Sequence, residues 1–260
     1  MARIGMKAER QNQILSTLAI KGEMSLQELM TTFNCSEATA RRDLEELEQS
    51  GSIIRRVGGG AMYIKPASVY EVPFIEKQQV LYTEKMAIAR LAASLVQEGD
   101  VIGLTGGTTT FLISQQLKQR KNITVVTNAV NIAMELSENS DLQVVLTGGV
   151  LRNKSFELCG PLAEQTVNAI NINLMFMGID GFTVGGVSTY SELEANIARM
   201  LMRRSAKTIA VFDHTKIGRA SLFTVAHLNE LHGCITDGQP SESLVSALKE
   251  ADTTLYVAQD

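Results

Sequence analysis

From Asp100 to the end of the chain, short apolar runs rich in β-branched residues alternate with stretches of helical periodicity. The runs are residues 101–104, 123–126, 142–146, 174–177, 208–212, 234–235 and 254–257. Between them, residues 109–119, 131–138, 162–170, 193–205 and 241–249 read as helices. Apolar strands separated by helices belong to a sheet covered on both faces, because each crossover helix must pack back onto the strands it joins. The alternation predicts a doubly wound, mostly parallel α/β domain. Ligands of such sheets bind beyond the carboxyl ends of the strands, so the loops there are where a site is sought.

The first strand runs into Thr105-Gly106-Gly107-Thr108-Thr109-Thr110 and straight into a helix. Glycines let backbone amides approach an anion, threonines offer hydroxyls, and the helix N-terminus adds partial positive charge. The loop is neither a Walker sequence, since no Lys follows the glycines, nor a dinucleotide fingerprint, since the third glycine is missing. Four more strands end in Thr127-Asn128, Thr147-Gly148-Gly149, Gly178-Ile179-Asp180-Gly181 and Asp213-His214-Thr215-Lys216. These residues suit a small polyhydroxylated anion: Asn128 and Asp180 for hydroxyls, Arg152 and Lys216 for charge, amides for phosphate. Polar loops with no ligand would have the same composition. His214, His227 and His232 lack paired ligand spacing, and neither a nucleophile elbow nor a Cys-His arrangement is legible. No metal or cofactor is therefore expected.

The N-terminal part has a different pattern. Residues 7–20 place Ile14, Leu15 and Leu18 at helical spacing before Lys21-Gly22, a basic last turn and a glycine stop. Ser25-Leu26-Gln27-Glu28 is a capping box that opens a second helix with Leu29, Met30 and Phe33 on its apolar face. After Asn34 and Cys35, Ser36 caps a third helix that continues through Leu47 and stops at Gly51. Ala40, Leu44 and Leu47 form its buried stripe, while Glu37, Thr39, Arg41 and Arg42 point elsewhere. Two helices across so short a turn make a helix-turn-helix. Residues 52–57 and 61–64, around Gly58-Gly59-Gly60, read as a hairpin, the wing of a winged helix. Thr39, Arg41 and Arg42 then face the major groove, with Ser36 and Glu37 at the same helix end. Arg55 and Arg56 on the wing reach phosphates or the minor groove.

Residues 1–65 form the DNA-binding domain on this reading, 66–82 a linker containing Pro66 and Pro73, and 83–260 the α/β domain, opening with a helix over 83–97. A chain of 260 residues with 45% apolar content buries enough core for both. Residues 1–65 hold nine Lys or Arg and eight Asp or Glu, a balance of +1 that leaves −5 of the net −4 to the remainder. Any nucleic acid is thus the business of the N-terminal part. Cys35, Cys159 and Cys234 are too far apart for a disulfide framework and read as packing residues. With no long apolar run and no signal-peptide pattern, a cytoplasmic protein without membrane contact is expected.

The residues that carry these motifs also carry a resemblance. Arg10-Gln11, Ser36-Glu37-Ala38-Thr39-Ala40-Arg41-Arg42-Asp43-Leu44, and residues 51–61 closely resemble the DeoR family of bacterial transcriptional regulators. Thr105-Gly106-Gly107-Thr108-Thr109, Val126-Thr127-Asn128, Leu146-Thr147-Gly148-Gly149, Cys159-Gly160-Pro161, Gly178-Ile179-Asp180-Gly181 and Asp213-His214-Thr215-Lys216 are similar to its sensor domain. The resemblance implies a repressor of a sugar-catabolism operon, a homo-oligomer (dimer or tetramer) on double-stranded operator DNA, with a phosphorylated sugar as effector. It also implies a sensor fold similar to that of ribose-5-phosphate isomerase. Many members carry an acidic residue where this chain has Thr105 and another where it has Asn173. The alternative is a sugar-phosphate isomerase with an added DNA-binding domain, for which Asp180 is the candidate base.

Overall fold

The computed structural model describes residues 7, 10, 11, 13–15, 17, 18, 21–49, 54–63 and 71–259. The chain divides into two compact units, Met1–Val80 and Leu81–Asp260. The expected helix stop Gly51, hairpin residues 52, 53 and 64, residue 65, and linker residues 66–70 lie outside the described residues.

In the first unit the described positions between 7 and 21 are helical (α1), with Ile14 and Leu18 fully buried. Gly22 ends the helix at φ 87°, its amide donating to the Leu18 carbonyl at 2.8 Å. β1 (Glu23–Ser25) leads directly into α2 (Leu26–Thr32). The capping box forms as the sequence predicts: Glu28 N–H donates to Ser25 Oγ at 3.2 Å, and Ser25 N–H to Glu28 Oε2 at 2.8 Å. Asn34, at φ 45°, turns the chain into α3 (Glu37–Gln49). β2 (Ile54–Val57) and β3 (Gly60–Tyr63) pair as a hairpin through Gly58 and Gly59, at φ 53° and 92°. A two-residue turn with both φ positive matches the twist of its strands, and glycine adopts it without strain.

β1 pairs with β3, a contact the sequence did not predict, because three residues with one buried side chain, Met24, carry no measurable period. Gly60 permits the approach: a Cβ there would lie 2.2 Å from the Met24 carbonyl oxygen. Met24 and Ala61 then complete one core with Ile14, Leu18, Leu29, Ala40, Leu44 and Leu47. Within the stretch read as an aperiodic linker, Pro73 starts a single helical turn, α4 (Phe74–Lys77), and Phe74 is buried.

The second unit opens with α5 (Tyr82–Ser94) and is built on seven parallel strands. These are β4 (Val101–Leu104), β5 (Ile123–Thr127), β6 (Leu142–Leu146), β9 (Ile172–Gly178), β12 (Ser205–Val211), β14 (Gly233–Thr236) and β15 (Thr254–Val257). Their order across the sheet is β15-β14-β12-β9-β4-β5-β6. The chain moves outward from β4 to β6, returns to lay β9 on the other side of β4, and moves outward again to β15. The order therefore reverses between β4 and β9, and the carboxyl ends of neighbouring strands diverge there into a crevice. α6 (Thr108–Leu117), α7 (Val130–Leu136), α8 (Pro161–Asn168), α9 (Glu192–Arg203) and α10 (Glu242–Glu250) make the crossovers.

Five short strands escaped the sequence reading. β7 (Val150–Arg152) and β8 (Glu157–Cys159) form a hairpin, and β10 (Gly181–Thr183), β11 (Gly186–Thr189) and β13 (Phe223–Ala226) a second antiparallel sheet. Three or four residues are too few to show alternation. Phe182 of β10 anchors the small sheet to the large one, its ring 4.5 Å from that of Phe212. Among the described residues no helix is long and apolar enough to cross a membrane.

Candidate functional site

Helix α3 turns two faces to different tasks. Ala40, Leu44 and Leu47 are buried, whereas Ser36, Glu37, Arg41 and Arg42 are exposed and Thr39 is half-buried. Ser36 caps the helix, its Oγ accepting from Thr39 N–H at 3.3 Å and lying 2.9 Å from Thr39 Oγ1. Arg41 lies against Glu37 one turn earlier, Nε donating at 2.9 Å and Nη2 at 2.8 Å from the same oxygen. Arg56 of β2 donates through Nε to Glu48 Oε2 at 2.6 Å, and its backbone amide donates to Glu48 Oε1 at 3.1 Å. The bond to Glu48 raises the Arg56 guanidinium above its ordinary value. Arg55 lies in β2, with its side chain outside the described residues.

Asp43, quoted in the signature without a role, points inward. It is 1% exposed, and its carboxylate receives Arg10 Nε at 2.7 Å and Gln11 Nε2 at 3.3 Å from α1. The bond to Asp43 is also what chiefly raises the Arg10 guanidinium. One turn later Glu46 receives Lys7 Nζ at 2.7 Å and Gln11 Nε2 at 2.9 Å. These contacts lock α3 to α1, and the rotation they impose is what presents Arg41 and Arg42 outward.

The second constellation lies at the carboxyl ends of β4, β5, β9 and β12. Thr105 closes the switch point: its Oγ1 accepts from Gly178 N–H at 2.9 Å and donates to the Gly106 carbonyl at 3.2 Å. Thr110 Oγ1 likewise donates to the Gly107 carbonyl at 3.0 Å, so two of the loop's hydroxyls serve its own backbone. Gly107, at φ 131°, starts α6 without a capping side chain, and the first turn, which begins at Thr108 and Thr109, contains no acidic residue. Its leading amides thus face the crevice end of the sheet with no carboxylate of their own helix opposing an anion.

Around this loop the sequence-predicted residues are drawn together by partners that sequence did not reveal. Asn128, fully buried, donates to Glu157 Oε2 at 2.9 Å and to the Leu158 carbonyl at 3.3 Å, and its Oδ1 has no partner among the described residues. Glu157 also packs on Gly106, where a Cβ would lie 2.2 Å from its Cγ. Arg152 sits opposite Glu157 in the β7–β8 hairpin and donates through Nε to Glu194 Oε1 at 3.1 Å. Thr189 Oγ1 lies 3.0 Å from Asp180 Oδ2 and 3.4 Å from Glu194 Oε2, and Tyr190 N–H donates to Asp180 at 3.2 Å. Gly148 and Gly149, at φ 72° and 117°, turn the chain into β7, and a Cβ at Gly149 would lie 2.7 Å from the Cys159 carbonyl oxygen.

Lys216 lies in a 3-10 turn, His214–Lys216, after β12. Asp213 caps that turn through Thr215 N–H at 3.1 Å and also accepts from the Thr215 hydroxyl. Burial pushes the Asp213 carboxyl up, but Lys216, Lys85 and the Thr215 bonds outweigh it and hold the group below the usual carboxylate range. Lys85, on α5 and 3% exposed, was passed over in sequence because it sits inside an apolar helical run; a buried lysine there was the available signal. Glu157 and Glu194, each a carboxylate in a buried stretch, were missed for the same reason.

Comparison with known proteins bears on both constellations. Residues 10–67 match the DeoR-like helix-turn-helix domain, and residues 81–238 match the DeoR C-terminal sensor domain. The chain belongs to the DeoR family. It is 36% identical to the uncharacterized HTH-type transcriptional regulator YgbI of Escherichia coli (strain K12), over 97% of this chain and 98% of that protein. It is 32% identical to the HTH-type transcriptional regulator GolR of Listeria innocua, over 96% and 98%, and 29% identical to the HTH-type transcriptional repressor GlcR of Bacillus subtilis, over 96% of each. Ribose 5-phosphate isomerase A from Methanocaldococcus jannaschii is 16% identical with a TM-score of 0.40, over 52% of this chain and 54% of that one. Full-length relatives that are regulators and repressors make this DeoR-family chain a DNA-binding transcriptional regulator, not an enzyme. Its winged helix is the part that binds double-stranded DNA.

Proposed function

We propose that this DeoR-family regulator is a cytoplasmic repressor of a carbohydrate-catabolism operon, acting as a dimer or tetramer and switched by a phosphorylated sugar in residues 83–260. The observation that carries the reading is the uncapped N-terminus of α6, entered through Thr105–Thr110 beside the strand-order reversal. Phosphate rests on the amides of Gly106, Gly107, Thr108 and Thr109, because Arg152 and Lys216 have Glu194 and Asp213 beside them and contribute little net charge. Asn128 and Asp180, with Glu157 and Glu194 behind them, read hydroxyls. Residues 1–65 carry the output: Thr39, Arg41 and Arg42 meet base edges, with Ser36, Glu37, Arg55 and Arg56 along the backbone. Ligand and operator favour different states of the chain, so each changes the affinity of the other.

The test is retention of promoter fragments by the full chain across a panel of sugar phosphates, alongside thermal shift with the same compounds. One sugar phosphate is expected to raise the melting temperature and change DNA retention. Arg41→Ala is expected to lose about 1–3 kcal/mol of operator binding while remaining folded. A panel that moves neither readout removes the effector reading; an Arg41→Ala chain that binds its operator like the parent removes the recognition-helix assignment.

A further inference from the structure

Between α3 and the wing runs a groove of about 440 Å³ whose lining includes Arg41, Arg56, Glu45, Glu48, Gly58 and Gly59. The two glycines carry no side chain, and a Cβ at either would meet nothing within 4 Å, so the turn leaves that end of the groove open. Both arginines belong to the set proposed above to meet DNA, the reading on which this inference rests, and each is already paired to a carboxylate of α3. Arg41 holds Glu37, and Arg56 holds Glu48. The two pairs differ. The Arg41 pair joins positions one helical turn apart, an ordinary surface pair. The Arg56 pair joins helix to wing, and one carboxylate takes both the backbone amide and the Nε of the same residue.

We propose that Glu48 is a built-in competitor for Arg56, so that a DNA phosphate entering this groove must share or displace the Glu48 carboxylate, whatever the DNA sequence. Glu48 thereby sets the strength of the sequence-independent contact. It subtracts from the phosphate contact common to all DNA and leaves base contacts by Arg41 and Arg42 untouched, so it lowers overall affinity and its salt dependence by the same amount on every sequence. Glu45, on the groove wall, adds to the field at Arg56 without bonding to it.

Glu48→Gln tests the idea, because glutamine keeps the shape and the acceptor for the Arg56 amide while removing the charge. The full chain, Glu48→Gln, Arg56→Gln and the double variant are titrated against a labelled duplex of mixed sequence across a KCl series, by fluorescence anisotropy. Each phosphate neutralised contributes about −0.9 to the slope of log affinity against log salt, so one recovered contact is worth about eightfold at 0.1 M salt. Glu48→Gln is expected to bind about that much tighter with a steeper slope, and to do so only while Arg56 is present. Far-UV circular dichroism melts check that all four chains are folded. Unchanged or weaker binding by Glu48→Gln would overturn the proposal. So would tightening that persists in the Arg56→Gln background, since Glu48 would then act as a distant charge.

Discussion

Replacing Asp43 with asparagine isolates one of the contacts that tie α3 to α1. Asp43 is buried, and asparagine is its isostere, so no cavity opens. What changes is that an NH₂ group or a neutral oxygen now meets Arg10 Nε at 2.7 Å, and Gln11 Nε2 at 3.3 Å competes for the one remaining oxygen. A charge-assisted hydrogen bond contributes about 1.5–3 kcal/mol. Arg10 keeps a side-chain exposure of 24% and can rehydrate, which places the loss toward the middle of that range. A unit of this size is stable by roughly 4–12 kcal/mol, so about 2 kcal/mol is a large fraction of it. Its melting temperature is expected to fall by roughly 8–16 °C. Thermal melts of the parent, Arg10→Gln, Asp43→Asn and the double variant read the effect in the transition of the N-terminal unit. The pair is expected to couple by at least about 1 kcal/mol. Below its melting point, Asp43→Asn should still bind DNA, because Glu46 keeps its bonds to Lys7 and Gln11 and the buried stripe of Ala40, Leu44 and Leu47 is unchanged, so Arg41 and Arg42 stay outward. An unshifted melt, or single losses that merely add, would refute the assignment of Asp43 as the α1–α3 anchor.

Two further outcomes concern the second unit. The Asp213 carboxyl is held low when folded and has an ordinary value near 4 when unfolded, so the unfolded chain takes up a proton first as pH falls. The stability it confers is complete above about pH 5 and is lost as pH drops through the folded value; Asp213→Asn should flatten that acid limb in urea titrations, and an unaltered limb would show the group contributes nothing. Gly106→Ala would drive a methyl into Glu157, which Asn128 holds in place, and should lower the sensor unit's stability by about 1–3 kcal/mol without moving the N-terminal transition. Glu157→Ala also costs stability by orphaning Asn128. In the double variant the two losses should nonetheless fall short of their sum by about 1 kcal/mol or more, since the atoms the methyl meets are gone; strict additivity would locate the strain elsewhere.

How far sequence reaches is clearest in particular residues. The Ser25–Glu28 capping box and the paired positive-φ glycines of the wing were legible because their causes lie within four residues of chain. The parallel α/β class followed from alternation alone, since apolar strands between helices have few other ways to be covered. Strands β7, β8, β10, β11 and β13 were not legible, for each is too short to show a period, and β1 was hidden behind the cap it shares with α2.

What only the tertiary structure decided is which charges meet. Asp43 finds Arg10 across 33 positions, Asn128 finds Glu157 across 29, and Asp213 lies in the field of Lys85 from a helix that opens the domain. Nothing local announces such partners, because each pair is made by elements brought together through burial of apolar faces that carry no information about the charges beside them. By itself the sequence determined a winged helix followed by a parallel α/β sheet and the loops where function would lie. Packing decided that Arg41 and Arg56 of one site and the cations of the other each stand beside a carboxylate, which is why charge alone does not describe how either binds.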